Sequence, residues 1–368
     1  MKTIKLKVRT QNRNYSILIG SNLLHNISNF LKENSISFSK CLFVIDKKIP
    51  KKFLKKIFSS MKNKKSITYY FNASEINKNQ KNVDKILEIL LKNNFHRDDC
   101  LISIGGGITG DVSGFAASIF KRGMKFVNIP TTLLAQVDSS IGGKTGINSN
   151  HGKNLIGAFH QPHLVISDIS FLKTLPKREI ICGYGEILKH SLIADKKFFL
   201  FLNKYNFEIF QLRTPYIEKA IYRSCLIKKE VVEKDEKEKN LRKILNFGHT
   251  FAHAFEASLG YSKKLNHGEA VILGMLTACK YSLNNKLLTN REFEIIHNHL
   301  INLKLSDNIK NFFSLKNLKQ IVLYMMKDKK NKSQKINLIL LKKIGNPIYS
   351  LNFDKQKLSY FLKNQLTN

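Results

Sequence analysis

Strand-like apolar runs alternate with helical stretches over the first hundred residues, and this alternation is the strongest constraint on the fold. The strand-like runs are Tyr15–Ile19, Cys41–Ile45, Ile67–Phe71 and Cys100–Ile104. Between them, Leu23–Leu31 and Val83–Leu91 carry apolar residues at helical spacing. Strands that alternate with helices predict a mostly parallel sheet with crossover helices, an architecture typical of nucleotide-binding proteins.

The fourth run leads into a glycine-rich loop. Gly105, Gly107 and Gly110 satisfy the pattern G-x-G-x-x-G, and the predicted helix Val112–Phe120 follows them. Between a strand and a helix, such a loop lets a pyrophosphate approach backbone N–H groups and the positive end of the helix dipole. The loop therefore predicts a dinucleotide site, and a tight turn that binds no ligand is the alternative interpretation.

The acidic residue that would hold the ribose is missing from its usual position. It normally lies at the end of the next strand, roughly 20 residues further on. Here that strand, Lys125–Ile129, ends in Pro130-Thr131-Thr132. Asp46, which closes an earlier predicted strand, is the better candidate.

Residues 130–146 and 152–157 concentrate glycine, lysine, serine and threonine. Small residues let backbone donors approach a ligand, and the lysines add positive charge, so these segments predict a phosphate or carboxylate site. The run Gly142-Gly143-Lys144-Thr145 superficially resembles a P-loop. The first glycine of that pattern would fall on Asp138, so hydrolysis of a nucleoside triphosphate is only a minor alternative.

Two histidines mark the segment 246–256. Read as a helix, it places His249 and His253 four residues apart on one face, which suggests metal binding or acid–base chemistry. A catalytic zinc typically takes three protein ligands. Further ligands could come from His267, which opens another helical run, or from Glu186, which we interpret as a carboxylate at a glycine-marked helix start. The alternative is that the histidines are hydrogen-bonded core groups, because the pattern lacks the internal glutamate of H-E-x-x-H.

The chain is strongly basic, with 62 lysines and arginines against 27 acidic residues and a formal net charge of +35. A basic surface suits nucleic acid, so a non-enzymatic nucleic-acid binder is one hypothesis. The lysines are spread over the whole chain, with denser runs at 47–65 and 327–335 and no RNA-binding signature. That hypothesis also leaves the glycine loops and histidines unexplained. We therefore expect no nucleic-acid partner and a general attraction for small anionic substrates.

Cysteine usage and hydropathy predict a soluble, cytoplasmic protein. The five cysteines are scattered and form no C-x-x-C pair, which argues against a disulfide framework and a thiolate metal cluster. No run reaches the roughly 18 apolar residues that would span a bilayer, and the N-terminus alternates like a strand instead of forming a signal-peptide core. We therefore expect no membrane partner.

Helical spacing dominates the chain after Glu179. The stretches that show it are Glu186–Ile193, Ile217–Val232, Thr250–Leu259, Ala270–Leu283 and Arg291–Leu303. The sequence thus predicts two domains, an α/β Rossmann-like parallel-sheet NAD domain over 1–176 and an all-α metal- and substrate-binding domain over 177–368. We expect the active site in the cleft between them.

Several long motifs carry a family resemblance. They are Gly105-Gly106-Gly107-x-x-Gly110-Asp111, the run from Pro130 to Thr145, Gly183-Tyr184-Gly185-Glu186, and Leu245-Asn246-Phe247-Gly248-His249-Thr250. In this order and spacing the chain resembles the 3-dehydroquinate synthase family, from about residue 46 to about residue 330. The likeness is far more specific than a single G-x-G-x-x-G.

The resemblance implies conversion of 3-deoxy-D-arabino-heptulosonate 7-phosphate into 3-dehydroquinate and phosphate, with NAD and a divalent metal, zinc or cobalt, as cofactors. A hydroxyl at carbon 5 is oxidised, phosphate is eliminated, the hydride returns, and the ring opens and closes again by an aldol step. Another sugar-phosphate cyclase or a metal-dependent polyol dehydrogenase is the alternative. A homodimer is also expected.

Site residues follow from the motif positions. The implied metal ligands are Glu186, His249 and His267. The implied substrate-binding residues are Arg122, Lys144, Lys153, Asn154, Lys189, Lys228, Arg242, Asn246 and His253. The implied catalytic residues are His253, Lys144, Asp138, Asn246 and Arg242. The implied NAD contacts are Asp46, Glu75, Lys78, Gly106, Gly107, Asp111, Thr131, Thr132, Lys144, Lys153, Phe171, Thr174, Leu175 and Glu179. A late lysine, Lys329 or Lys330, is a further substrate candidate.

Overall fold

The structure, a computed structural model, describes residues 3–262, 264–326 and 335–367. Lys329 and Lys330 lie outside the described residues. The chain divides into two compact units, of which the first comprises Met1–Ile180 with Ile217–Lys237 and the second comprises Ile181–Tyr216 with Glu238–Asn368. The predicted domain boundary after residue 176 stays a prediction. The bounds of the compact units differ from it, because the first unit extends to residue 180 and also contains residues 217–237.

Strands and helices cover most of the described residues. The strands are β1 Ile4–Arg9, β2 Asn14–Gly20, β3 Lys40–Asp46, β4 Lys65–Phe71, β5 Cys100–Gly105, β6 Lys125–Pro130, β7 Lys144–Ser149, β8 Gly152–Phe159, β9 Leu164–Asp168, β10 Lys335–Lys343 and β11 Asn346–Asp354. The α-helices are α1 Ile27–Glu33, α2 Lys51–Ser60, α3 Gln80–Lys92, α4 Gly107–Ile119, α5 Lys177–Ala194, α6 Lys196–Lys204, α7 Asn206–Phe210, α8 Tyr216–Lys234, α9 His249–Ser258, α10 His267–Asn284, α11 Asn290–Asn302, α12 Leu318–Met326 and α13 Lys355–Thr367.

The first unit is built on a seven-stranded sheet of order β1-β2-β9-β6-β5-β3-β4. Only the β1–β2 pair is antiparallel; the other neighbours run parallel. Every residue of β5 is buried, as expected for a central strand covered on both faces. The predicted α/β parallel sheet is therefore confirmed, and the four strand-like runs fall within β2, β3, β4 and β5.

Helices cover both faces of this sheet because its strands present apolar side chains to each side. On one face, Phe43 and Ile102 pack with Phe53 and Ile57 of α2. On the other, Val44 and neighbouring strand residues pack with apolar residues of α3 and α4. Helices on both faces leave a crevice at the carboxyl ends of the strands where the strand order reverses, which is where α/β sheets bind ligands.

The second unit is helical, as the sequence predicts, and it also contains a hairpin that the sequence analysis missed. Strands β10 and β11 pair antiparallel, and Gly345 in their turn has a φ of 83°. The apolar run Ile336–Leu341 on β10 was the available signal. Leu341 N donates to Ser282 Oγ of α10 at 3.2 Å, so the hairpin is packed against the helices.

None of the described helices is both long and apolar enough to cross a membrane. All five cysteines are buried and free of disulfide bonds. Burial raises the pKa of the Cys41 thiol to about 12, so it stays protonated at neutral pH. These cysteines behave as small apolar core residues.

We expect His299 to make the second unit sensitive to acid. Its buried ring lies 2.8 Å from the Tyr184 hydroxyl and 2.9 Å from Asn203 Oδ1, and burial lowers its pKa to about 4. An unfolded histidine takes up a proton near pH 6.5, so the unfolded state binds more protons as the pH falls towards 4. The penalty reaches about 2.5 kcal/mol at pH 4.5.

Urea unfolding at pH 7 and pH 4.5 measures this effect, with His299→Gln as the comparison. Glutamine can keep hydrogen bonds but does not titrate, so the variant should lose less stability between the two pH values. Equal losses in wild type and variant would contradict the assignment to His299.

Candidate active site

The glycine loop of the first unit lies at the carboxyl end of β5 and begins α4. Gly106 is the N-cap of that helix. A Cβ on Gly105 would lie 2.5 Å from Thr109 Oγ1, and one on Gly107 would lie 3.0 Å from Ser139 Oγ. Glycine is therefore required here by close packing around the helix N-terminus, where backbone N–H groups and the helix dipole favour an anion.

Asp46 ends β3, the strand next to β5. Ile45 and Ile104 are paired in the parallel register, so Asp46 and the glycine loop lie at the same edge of the sheet. Burial raises the pKa of Asp46, and the N–H of Lys48 donates to its Oδ1 at 3.1 Å. This is the position at which a ribose-binding carboxylate is expected.

Five predicted cofactor and substrate residues form one polar cluster. Lys78 is buried, and its Nζ lies 2.5 Å from both Asp111 Oδ2 and Asn154 Oδ1. Lys153 Nζ is 3.9 Å from Glu75 Oε1. Burial raises the pKa of Asp111, and the adjacent Lys78 opposes that shift. The structure thus brings Glu75 and Lys78 to the same place as the glycine-rich segments.

Replacing Lys78 with methionine should destabilise the first unit by about 3 kcal/mol, because Asp111 would lose its cation in a largely buried position. Lys92→Met is the matched control. Lys92 pairs with Glu88 at 3.7 Å on an exposed helix surface, so its loss should cost under about 0.5 kcal/mol. Urea denaturation followed by circular dichroism measures both, and similar losses in the two variants would refute the prediction.

The turn before Lys144 is held by two side chains. Gly142 N donates to the Tyr15 hydroxyl at 3.2 Å, and a Cβ on Gly143 would lie 2.7 Å from the Gln161 side chain. Lys144 itself is exposed at the start of β7, and a small cleft beside it is also lined by Asp111. The Lys144 side chain therefore reaches the surface beside this cleft.

Asp138 belongs to a π-helical turn, Ala135–Ser139. Lys228 Nζ, on α8, donates to its carboxylate at 2.7 Å and to its carbonyl oxygen at 2.6 Å. Turns of this kind are frequent at functional sites. The structure brings these two predicted site residues together, although 90 positions separate them in sequence.

Other predicted residues of the first unit divide into two groups. Thr131 and Thr132 follow β6, and Thr131 N donates to Gly105 O at 3.0 Å, so they adjoin the glycine loop. Thr174, Leu175 and Glu179 lie beyond the carboxyl end of β9.

Phe171 and Arg122 do not lie where their side chains could directly contact a ligand at the glycine loop. The Phe171 side chain is 1% exposed, and its ring centroid lies 4.4 Å from that of Phe53. It therefore belongs to the core and could meet a cofactor only through its backbone. Arg122 follows α4, a helix of 13 residues that spans about 20 Å. Within one chain it therefore lies at the opposite edge of the sheet from the glycine loop.

The three predicted metal ligands of the second unit do come together. One ligand atom each from Glu186, His249 and His267 lies within 4.8 Å of the other two. His249 Nε2 is 3.6 Å from Glu186 Oε1. That carboxylate oxygen is buried and has no hydrogen-bond partner among the described residues. Burial, followed by the charge of Lys189, lowers the pKa of His249 well below its usual value, so its lone pair is available.

These observations fit a divalent cation. An unsatisfied buried carboxylate oxygen is costly unless a cation or donor meets it. Two neutral imidazoles and one carboxylate are a common ligand set for zinc, and they leave coordination positions open for substrate oxygens. Lys189 pairs with the other oxygen of Glu186, which orients that carboxylate.

Glu186 lies in the middle of α5 and not at a helix start, so that part of the sequence interpretation is wrong. The glycines before it serve helix packing instead. A Cβ on Gly185 would lie 3.1 Å from Gly268 O, and one on Gly268 would lie 2.2 Å from Cys182 Cα. This close crossing of α5 and α10 brings Glu186 next to His267.

The remaining predicted residues of the second unit lie on α9 and in the 3₁₀ turn before it. His253 is exposed, and the centroid of its ring is 5.4 Å from the centroid of the His249 ring. Arg242 is buried in the 3₁₀ turn that precedes α9, and Asn246 Nδ2 in the same turn donates to Glu238 Oε1 at 2.8 Å. Glu256 was assigned no role from the sequence, yet its carboxylate contacts His267.

The fold is shared with solved structures of two synthases. The structure superposes on 2-deoxy-scyllo-inosose synthase, complexed with carbaglucose-6-phosphate, NAD+ and Co2+, with a TM-score of 0.88, 23% identity, and coverage of 98% of this chain and 100% of that one. It also superposes on 2-epi-5-epi-valiolone synthase from Streptomyces hygroscopicus subsp. jinggangensis 5008, with NAD+ and Zn2+ bound, at 0.85, 24% identity and 99% coverage of both chains.

The chain belongs to the 3-dehydroquinate synthase family. The model of the 3-dehydroquinate synthase N-terminal region matches residues 68–182, and that of the C-terminal region matches residues 183–331. The 3-dehydroquinate synthase of Pelagibacter ubique (strain HTCC1062) is 64% identical over 367 residues, which cover the whole of both chains.

Proposed function

We propose that this chain is an NAD- and metal-dependent enzyme that converts 3-deoxy-D-arabino-heptulosonate 7-phosphate into 3-dehydroquinate and phosphate. Family membership supports the reaction. The single structural observation that carries the proposal is the convergence of Glu186, His249 and His267 around an unsatisfied carboxylate oxygen. Zinc or cobalt is the proposed metal, in line with the ions in the two superposed synthases.

The first unit would hold the nucleotide. The helix N-terminus at Gly106 and Gly107 suits the pyrophosphate, and Asp46 suits a ribose hydroxyl. Lys78 is held by Asp111 and would therefore act as a fixed positive charge. These contacts would orient the nicotinamide against the carbon-5 hydroxyl.

Bound NAD would supply a reversible hydride acceptor, and the bound cation would supply a Lewis acid for the reacting oxygens. The chain's own task is then to hold charges in place. Oxidation at carbon 5 makes the neighbouring proton acidic, so phosphate can leave as the adjacent C–H bond breaks. The electron pair of that bond forms the new double bond, and the later return of hydride restores the cofactor.

Cationic side chains would bind the two anionic groups of the substrate. Lys144, Lys153, Lys228 and Arg242 are the proposed contacts, and Lys189 would add a buried ammonium beside Glu186. Lys228 is already oriented by Asp138. Fixed cations of this kind stabilise the charge that develops on the leaving phosphate.

His253 and the amide groups would complete the site. An exposed imidazole beside the metal ligands can accept or donate a proton, which suits the ring-opening and aldol steps. Asn246 and Asn154 would donate neutral hydrogen bonds to hydroxyl groups. Arg122 lies at the opposite edge of the sheet from the glycine loop, so its proposed substrate contact has no support from the geometry of the first unit.

Phosphate release tests the proposal. Purified protein is mixed with the heptulosonate phosphate, with NAD supplied or omitted and with metal supplied or chelated. We expect release that requires both, without net accumulation of NADH, and 3-dehydroquinate as the product. Release of a different carbocycle would favour another cyclase, and NADH formation from a simple polyol would favour a dehydrogenase.

We further propose a homodimer located in the cytoplasm. Strand β8 pairs with β7 and has exposed apolar side chains at Leu155, Ile156 and Phe159, which is the kind of surface that a second copy could cover. The five free cysteines accord with a reducing compartment. Light scattering coupled to gel filtration would measure the mass, and a monomer at micromolar concentration would refute the dimer.

A further inference from the structure

The second unit contains a carboxylate that the proposed reaction leaves without a role. Glu256 lies three residues after His253 and seven after His249, so the three side chains share one face of α9. It is only 7% exposed. A carboxylate at this depth is costly to bury unless other groups interact with it.

Glu256 meets one of the proposed metal ligands. Its Oε2 lies 3.1 Å from Nδ1 of His267. An ionised carboxylate can only accept hydrogen bonds, so Nδ1 carries the proton in this pair. The lone pair of His267 is then on Nε2, the nitrogen left for a metal ion.

His249 is oriented in the same way by a different acceptor. Its Nδ1 lies 3.3 Å from the carbonyl oxygen of Phe247, and its Nε2 faces Glu186 at 3.6 Å. Both imidazoles therefore have an acceptor behind Nδ1. The difference is that His249 relies on the backbone, whereas His267 relies on a side chain that can be changed.

The charge balance gives Glu256 a second effect. Lys189 pairs with Glu186 and places an ammonium group beside the ligand carboxylate, which opposes a dication. Glu256 adds one negative charge beside His267, another of the proposed ligands. A carboxylate behind a ligating imidazole also makes that imidazole a stronger donor.

We propose that Glu256 is a positioning residue that holds His267 with Nε2 towards the metal position and raises the affinity for a divalent cation. The inference rests on the metal site of the proposed function. It concerns metal binding itself, so it can be tested without turnover.

Cobalt binding to the metal-stripped full-length chain provides the test. Titration with Co2+, followed by visible absorption, compares wild type with Glu256→Gln and Glu256→Leu. Glutamine keeps an acceptor oxygen but removes the charge, so we expect about tenfold weaker binding; leucine removes both, so we expect about 100-fold weaker binding and an altered cobalt spectrum. Because glutamine is nearly isosteric, that variant decides the matter if the leucine variant does not fold.

Asp307→Asn is the matched control. Asp307 Oδ2 lies 3.1 Å from His297 Nε2, so this variant alters another histidine–carboxylate pair of the same unit, one outside the proposed metal site. We expect its cobalt affinity to stay within about twofold of wild type. If the Glu256 variants match wild type in cobalt affinity and spectrum, this inference is overturned and the proposed metal site still stands. No cobalt binding by the wild-type chain would overturn the proposed metal site and this inference together.

Discussion

His249→Ala should lower phosphate release by about a thousandfold and remove the bound metal. The substitution leaves only Glu186 and His267 of the three groups that converge within 4.8 Å. A metal ion that polarises reacting oxygens contributes several kcal/mol to the transition state, and about 4 kcal/mol corresponds to a thousandfold in rate. Metal content by mass spectrometry and phosphate release are measured on the same sample.

His297→Ala is the control for this variant. It removes an imidazole that is likewise paired with a carboxylate in the second unit, but at a position assigned no part in the reaction. Its metal content and activity should stay close to those of wild type. If His249→Ala retained stoichiometric metal and activity within about tenfold of wild type, His249 would not be a ligand.

Gly268→Ala should destabilise the second unit by about 3 kcal/mol or more. The new Cβ would lie 2.2 Å from Cys182 Cα and 2.6 Å from Cys182 O, and both are backbone atoms of α5 that cannot rotate away. The two helices would have to separate. Since α5 carries Glu186 and α10 begins at His267, metal affinity should fall together with stability.

Gly260→Ala separates this packing effect from ordinary glycine replacement. Gly260 has a φ of 62°, but among the described residues no atom beyond its own and those of its chain neighbours lies within 4 Å of the position its Cβ would take. The expected cost is therefore only the strain of a left-handed backbone, about 1 kcal/mol. Urea unfolding and cobalt titration compare the two variants. Equal losses, or a Gly268→Ala chain with unchanged metal affinity, would show that the close helix crossing does not position the ligands.

Local patterns were sufficient for the four strand-like runs, for the helical stretches after Glu179 and for the position of the glycine loop. Parallel strands buried on both faces are continuous apolar runs, and helices that pack on one side have apolar residues at helical spacing. The carboxyl ends of parallel strands meet at one edge of a sheet, which is why Asp46, the ribose candidate, lies at the same edge as Gly105. The hairpin β10–β11 was missed because a short apolar run such as Ile336–Leu341 fits a strand or a buried helix equally well by periodicity.

The motif resemblance supplied the candidate site residues, and the tertiary structure decided how they meet. No spacing indicates that Lys78 pairs with both Asp111 and Asn154, that Phe171 is a core residue, or that Arg122 lies at the far edge of the sheet. Such relations depend on how segments distant in sequence pack together. Their geometry is therefore not encoded in any local period.

The metal centre shows this division clearly. The sequence by itself determined that His249 and His253 share a helix face, because helical periodicity is a local property of the backbone. Only the tertiary structure decided that Glu186 comes from the middle of α5 and that Glu256 lies behind His267. The physical reason is the crossing of α5 and α10, whose closeness depends on the absence of a side chain at Gly268 where it packs against Cys182.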